Sequence, residues 1–308
     1  MLYLDGVICP LSSLFAIGTN TVNTQTEINY KIGLIGRGIQ LSRTPFMHEA
    51  EGKRLGLDYQ YDLIDVDLMG EAPPSISEIL GSLEMDGYAG VNVTYPFKQS
   101  VMEFIDDFSH AALAVGSVNT VIFDNGKRTG HNTDVTGFEQ SYLQNMEGRS
   151  QGSVLLIGAG GAGVSVAHAL LKCGVGKLYI SDIDESAVQT LVGRLNGYFD
   201  DKARCVASSD LQKRSATLDG VVNATPVGME KIPGCPFPKE MLSERLWVAD
   251  IIYFPLETER LKTARNLGCH TLSGSEMAVY QALHAFELFT GLRPDGDAMK
   301  ASFAAYEN

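Results

Sequence analysis

A chain of 308 residues is long enough for two compact domains, each with its own core, and 44% hydrophobic with 20% charged residues is the composition of a folded globular protein rather than a disordered one. A formal charge of −13 with no run of Lys or Arg excludes a general nucleic-acid binder, so an anionic ligand must be held by local groups. No stretch reaches the roughly 18–20 consecutive apolar residues of a membrane span, and the five scattered cysteines, Cys9, Cys173, Cys205, Cys235 and Cys269, form no C-x-x-C pair, which reads as reduced thiols in a cytoplasmic protein without a metal site.

Residues 1–30 read as a flexible extension. Within it "VICPLSSLFAIG" (7–18) resembles a signal-peptide core, but no basic residue precedes it and Asp5 does. The strand "KIGLIG" (31–36) is then followed by a helix at 48–57, a strand at 58–66, a helix at 74–87 and a strand at 88–96. Such alternation predicts a largely parallel sheet covered on both faces. From Asp134 onward a helix (134–146) leads to apolar runs at 153–160, 177–182, 220–225, 247–253 and 269–274. Five strands separated by helical patterns predict a doubly wound nucleotide-binding domain. A last helix at 275–291 stops at a glycine and is free to return to the first domain.

In "VLLIGAGGAGVSVAHALL" the glycines Gly158, Gly160 and Gly163 fit G-x-G-x-x-G, with an apolar strand before the turn and a helix former after it. In that setting the first glycine makes the tight turn, the second lets backbone approach a pyrophosphate, and the third permits close helix–strand packing. Asp182 closes the next strand in "YISDID", near the usual interval of about 20 residues for the acid that accepts hydrogen bonds from the adenosine ribose. A carboxylate there repels a 2′-phosphate and no arginine adjoins it, so Asp182 predicts NAD rather than NADP. Asp184 competes for that role, and a helix cap is the plain structural alternative for Asp182.

In "GVNVTYPFKQ" (90–99) Pro96 interrupts a strand and presents Thr94 and Lys98 past its carboxyl end, where ligands of open α/β sheets collect. "GSVNTV" and "TGHNTDVTGF" place Asn119, Asn132, Thr133 and Asp134 where apolar sequence stops, with an N-cap as the plain role for Asp134. A Lys–Asp pair in a cleft has a sharper meaning: the carboxylate orients the amine, and the amine exchanges a proton with a substrate hydroxyl.

The segments "LSRTPFMHEA", "NVTYPFKQ", "SVNTV", "GHNTD", "GAGGAG", "NATPVGM" and "GSEMAVYQA" stand in the order seen in shikimate dehydrogenases, so that residues 31–308 resemble this family and its quinate/shikimate dehydrogenase subgroup in particular. The resemblance implies an α/β substrate domain (31–133, completed by 275–308) and a Rossmann NAD-binding domain (134–274). It implies Lys98 and Asp134 as the catalytic pair, and Ser42, Thr44, Thr94, Asn119, Tyr253 and Gln281 as further substrate-binding positions. Gly158, Ala159, Gly160, Gly161, Ala162, Asn223, Thr225, Pro226 and Gly274 match cofactor contacts. NADP-using relatives read Asn-Arg-Thr where this chain has Asp182, Ile183 and Asp184, and a second serine where it has Thr44, a threonine that goes with acceptance of quinate. His110 stands where many relatives carry an acid near the cofactor.

The expected partners are the small molecules quinate and shikimate, for a monomer or homodimer. A relative with a changed ring substrate, such as an aminoshikimate, and a non-catalytic NAD sensor are the alternatives. "HEAEG" (48–52) lacks the second histidine of a zinc-protease motif, and His48, His131, His168, His270 and His284 read as structural residues.

Overall fold

A computed structural model of the protein describes residues 29–306. The predicted extension, its apolar run at 7–18 and Cys9 lie outside the described residues, apart from Asn29 and Tyr30, which open the first strand. The first half runs β1 (Asn29–Gly36), α1 (Thr44–Arg54), β2 (Asp58–Asp65), α2 (Ile76–Met85), β3 (Gly90–Val93), β4 (Asp107–Phe108), α3 (His110–Val115), β5 (Thr120–Asp124) and β6 (Lys127–His131). The second runs α4 (Thr133–Asn145), β7 (Ser153–Ile157), α5 (Gly161–Lys172), β8 (Lys177–Ser181), α6 (Glu185–Asn196), β9 (Ala203–Cys205), α7 (Leu211–Arg214), β10 (Gly220–Asn223), β11 (Trp247–Asp250), α8 (Glu259–Asn266) and β12 (His270–Ser273), followed by α9 (Gly274–Thr290) and α10 (Gly296–Ala305).

The second sheet has the order β9-β8-β7-β10-β11-β12 with every pair parallel, which is the doubly wound 3-2-1-4-5-6 arrangement. Successive residues of β7 alternate between its two faces. Val154 and Leu156 pack with Val166, Leu170 and Phe138 of α4 and α5, whereas Leu155 and Ile157 pack with Leu211, Leu261 and Ala264 of α7 and α8. Both faces are covered, so the strand reads as one continuous apolar run instead of an alternating one. Six strands replace the five expected. β9 has only three residues, of which Arg204 is half-buried and Cys205 exposed, so it offers no apolar run to read.

The first sheet, β2-β1-β3-β5-β6-β4, is mixed, not largely parallel: β3–β5 and β5–β6 are antiparallel. β5 and β6 form a hairpin whose two-residue turn, Asn125-Gly126, has φ of 50° and 75°. Asn-Gly is the favoured pair for that left-handed turn. α2 begins at Ile76, two residues later than expected, because the Ser75–Glu78 capping box sets its start. α1 covers 44–54 instead of 48–57, with proline in its first turn.

The chain crosses between the sheets twice, along α4 and back along α9. The helix expected at 275–291 is α9, ended by Gly291 at φ 69°, and Asp295 caps a further helix, α10, that packs Met299 and Phe303 with Met47 of α1. The C-terminal helices thus return to the first sheet, where Ala285 and Phe289 join Ile32, Leu34 and Tyr61. Among the described residues no helix is long and apolar enough to cross a membrane.

Candidate active site

β1 and β3 pair in parallel, and their carboxyl ends deliver the first wall of the cleft. Thr94 N–H donates to the Ile35 carbonyl (2.9 Å) and Phe97 N–H to the Thr94 carbonyl (2.9 Å), so the turn at Pro96 is tied back to the sheet. Lys98 is fixed at both ends: Val118 N–H donates to its carbonyl (2.8 Å), and its Nζ donates to Asp134 Oδ2 at 2.7 Å. The two side chains are 21% and 11% exposed, shielded enough for the contact to count and open enough for a small molecule to reach them. Asp134 is not the N-cap. Asn132 holds that place, accepting from Val135 N–H at 3.1 Å, and leaves the Asp134 carboxylate in the first turn, where the helix end favours negative charge.

Asn119 is 3% exposed and its amide is spent on Thr133: Thr133 N–H donates to Oδ1 (2.7 Å), and Nδ2 donates to Thr133 Oγ1 (2.9 Å). It therefore fixes the residue before Asp134. Two residues outside the sequence reading extend this network. Asn92 donates to Thr120 Oγ1 (2.9 Å) and to the Asn119 carbonyl (3.2 Å), and Tyr61 O–H donates to Asn92 Oδ1 (2.7 Å). A lone Asn in the buried strand "GVNV" was the available signal, since a buried amide has to find partners. Asp65 is a third, accepting from Gly38 N–H, Ile39 N–H and Gln40 Nε2 and so shaping the loop that leads to Ser42.

Ser42 Oγ accepts from Thr44 N–H at 3.3 Å where α1 begins. Gln281 lies in α9, and Gly137 of α4 sets its place: a Cβ at Gly137 would stand 2.6 Å from Gln281 N and 2.9 Å from the Met277 carbonyl. Gly137→Ala must part the two helices at backbone level, so we expect a lower Tm from overpacking of roughly 1–3 kcal/mol, read by thermal melts. Tyr253 follows β11. Its phenol is held above its ordinary value by desolvation first and by the Asp134 carboxylate second, with Arg43 opposing, although the residue keeps 41% of its surface exposed. Its ring meets that of Phe303 edge-on at 5.9 Å.

The second wall is the carboxyl edge of the doubly wound sheet, where β7 and β10 part. Gly158 has φ 110° and a Cβ there would meet the Ala224 carbonyl at 2.6 Å, while a Cβ at Gly163 would meet the Gly158 carbonyl at 2.1 Å. At Gly160 and Gly161 nothing lies within 4 Å, and no side chain caps the N-terminus of α5. Tight turn, close packing and open uncapped amides are what a pyrophosphate requires, and the site fits a dinucleotide. Asp182 caps no helix. Its Oδ2 accepts from Ala159 N–H (2.7 Å) and its Oδ1 from Asp184 N–H (3.0 Å), and Asp184 is the N-cap of α6. Gly274 packs on the Ile251 backbone, with a Cβ falling 2.1 Å from that carbonyl. His110 opens α3 with its ring edge-on to Tyr198 of the α6 end at 6.4 Å, and His48 is fully buried, its Nδ1 2.8 Å from Tyr59 Oη. Burial drives the His48 pKa down to about 3, so it is neutral and structural.

Asn223 and Asp250 join the two loops on this wall. Asn223 accepts from Thr225 N–H and Oγ1 and donates to Asp250 Oδ1, which also accepts from Ile252 N–H, and Thr258 donates to Asp250 Oδ2. Burial pushes the Asp250 carboxyl up to about 6 against the lowering effect of those donors. Between the unfolded value near 4 and 6 the folded chain holds a proton the unfolded chain has lost, so this group's contribution to stability falls as pH rises through that window. Asp250→Asn should therefore remove this falling contribution, so that the Tm of the mutant gains on that of wild type as pH rises from about 4 to 6. A mutant profile parallel to wild type would show that Asp250 does not titrate there.

A doubly wound sheet with this glycine turn, joined through α4 and α9 to a second α/β body that carries a Lys–Asp pair, defines a pyridine-nucleotide oxidoreductase. Comparison with known proteins narrows the class. The shikimate dehydrogenase substrate binding domain matches residues 34–121, and the shikimate 5′-dehydrogenase C-terminal domain matches residues 274–302. The chain is 46% identical to the shikimate dehydrogenase (NADP(+)) of Streptomyces avermitilis, over 91% of this chain and 96% of that one. It is 44% identical to the quinate/shikimate dehydrogenase (NAD(+)) of Corynebacterium glutamicum, over 88% of this chain and 97% of that one. Quinate dehydrogenase from Corynebacterium glutamicum in complex with NAD superposes with a TM-score of 0.87 at 42% identity, covering 90% and 99% of the two chains. The chain belongs to the shikimate dehydrogenase family.

Proposed function

We propose that the protein is an NAD-dependent quinate/shikimate dehydrogenase acting reversibly on the C3 hydroxyl of quinate or shikimate, with 3-dehydroquinate or 3-dehydroshikimate as product. The observation that carries the reading is the Lys98 Nζ–Asp134 Oδ2 contact of 2.7 Å at the first turn of α4, whose N-cap Asn132 accepts from Ser165 of α5, the helix after the glycine turn, at 3.3 Å. A nicotinamide held by the glycine turn would supply the hydride acceptor for oxidation of the substrate carbon, and the donor for reduction. Lys98 takes the proton from the C3 hydroxyl as that carbon is oxidised and gives it back in reverse, while Asp134 holds the amine in place. Ser42, Thr44, Thr94, Asn119, Tyr253 and Gln281 bind the ring's carboxylate and other hydroxyls. Gly158 to Ala162 with Asn223, Thr225, Pro226 and Gly274 bind the dinucleotide, and Asp182 accepts from its adenosine ribose. Residues 31–133 with 275–308 form the substrate domain and 134–274 the dinucleotide domain. The setting is cytoplasmic, with small molecules as the only partners beyond a second copy of the chain.

Initial rates with quinate and with shikimate, each with NAD and with NADP, test this. Quinate turnover with NAD is expected. A clear NADP preference overturns the cofactor assignment, and binding of cofactor without turnover in any combination points to a changed ring substrate or to a sensor.

A further inference from the structure

Arg43 stands between Ser42 and Thr44, yet it is only 8% exposed and turns away from solvent. Its Nη1 donates to the Phe303 carbonyl at 2.8 Å, and its guanidinium lies over the Phe303 ring at 5.0 Å and the Tyr306 ring at 5.5 Å. Its Nε is buried without a partner. No acid pairs with Arg43 among the described residues, so what holds this cation is the end of α10: one carbonyl and two aromatic faces. Phe303 itself is 4% exposed and packed with Met47 of α1 and Val279 and Leu283 of α9. The ring also meets Tyr253 at 5.9 Å and 64°, a tilted edge contact of the kind aromatic pairs prefer.

One ring thus touches a side chain from each wall of the cleft. Arg43 belongs to the turn after β1, and Tyr253 to the loop after β11 in the other sheet. Tyr253 in turn feels the charges of both Asp134 and Arg43. We infer that Phe303 is a positioning residue for the substrate: through Arg43 it sets the Ser42–Thr44 turn against Tyr253, so that hydroxyls from the two walls converge on one ring. The inference rests on the substrate site proposed above. It gives the C-terminal helix a part in recognition that its distance from the Lys98–Asp134 pair along the chain conceals, without making it touch the reacting atoms.

Phe303→Leu keeps apolar volume and removes the aromatic face. Arg43→Lys keeps the charge and removes the planar fork that stacks and donates. With quinate and shikimate as substrates, each variant is expected to raise the ring-acid KM roughly 3–10-fold, the range of an aromatic pair expressed as affinity, with the cofactor Kd held and the Tm lowered by the lost packing of a buried side chain. Because both act through one contact, the double variant should cost no more than the larger single one. Should Phe303→Leu fail to fold, Arg43→Lys decides. An unchanged ring-acid KM overturns the inference, as does a cofactor Kd that worsens in step with KM, or full additivity of the two changes on KM. A wild type that turns over neither acid removes the substrate assignment and this inference with it, whereas an active wild type with silent variants removes the inference alone.

Discussion

Lys98→Ala should lose roughly 10²–10⁴-fold in turnover, the usual share of a general acid–base group, while NAD binds with an unchanged Kd. The expectation comes from how the amine is held: backbone to Val118, side chain to Asp134 at 2.7 Å, and Asp134 to an N-terminus that Asn132 and Asn119 fix. Among the described residues no other lysine and no histidine hydrogen-bonds to Asp134 as a substitute. Removing Lys98 also strips a largely buried carboxylate of its cation, so the Tm is to be measured beside the rates to separate lost chemistry from a loosened fold. Asp134→Asn keeps a hydrogen-bond acceptor but not the charge and should fall between the two. Near-normal turnover in Lys98→Ala would remove Lys98 from the proton transfer.

The second large effect is expected at Asp182. Hydrogen bonds to a charged group contribute about 1.5–3 kcal/mol, so Asp182→Ala should weaken NAD by one to two powers of ten and lower the NAD to NADP ratio of kcat/KM. Part of that loss comes from the protein itself, because the carboxylate also accepts from Ala159 N–H inside the glycine turn. Asp182→Asn separates the two parts: its remaining oxygen can still meet Ala159, but the charge that repels a 2′-phosphate is gone. An unaltered ratio in both variants would mean that selectivity lies elsewhere, a question sharpened by relatives of similar identity bearing NAD and NADP names.

Much of this arrangement was legible because its physics is local. A buried strand flanked by helices leaves a continuous apolar run, and a position where a Cβ would stand 2.1 Å from a carbonyl leaves a glycine in the sequence, as at Gly163. Partners distant along the chain left weaker marks. Asp134 and Asn132 are both good caps by type, and only the geometry of Val135 N–H chooses between them. Asp182 and Asp184 divided in the same way, with Asp184 taking the cap. The Asn92–Tyr61 contact joins adjacent parts of one sheet through a register that residue spacing does not specify. The hairpin at Asn125-Gly126 carried a plain signal that a strand–helix alternation obscured, and β9 carried almost none. α10 followed a glycine stop that looked like an ending.

The paired crossings of α4 and α9 have a mechanical consequence. Two connections lying side by side, in backbone contact at Gly137, act like two pins on one edge of a door, and the freedom they leave the sheets is rotation about their common line. Asp134 stands in the first turn of α4, close to that line, where a swing traces a short arc. The outer lip of the cleft traces a long one. A swing about that line is therefore expected to move the outer parts of the two sheets apart while the Lys98–Asp134 corner stays in register.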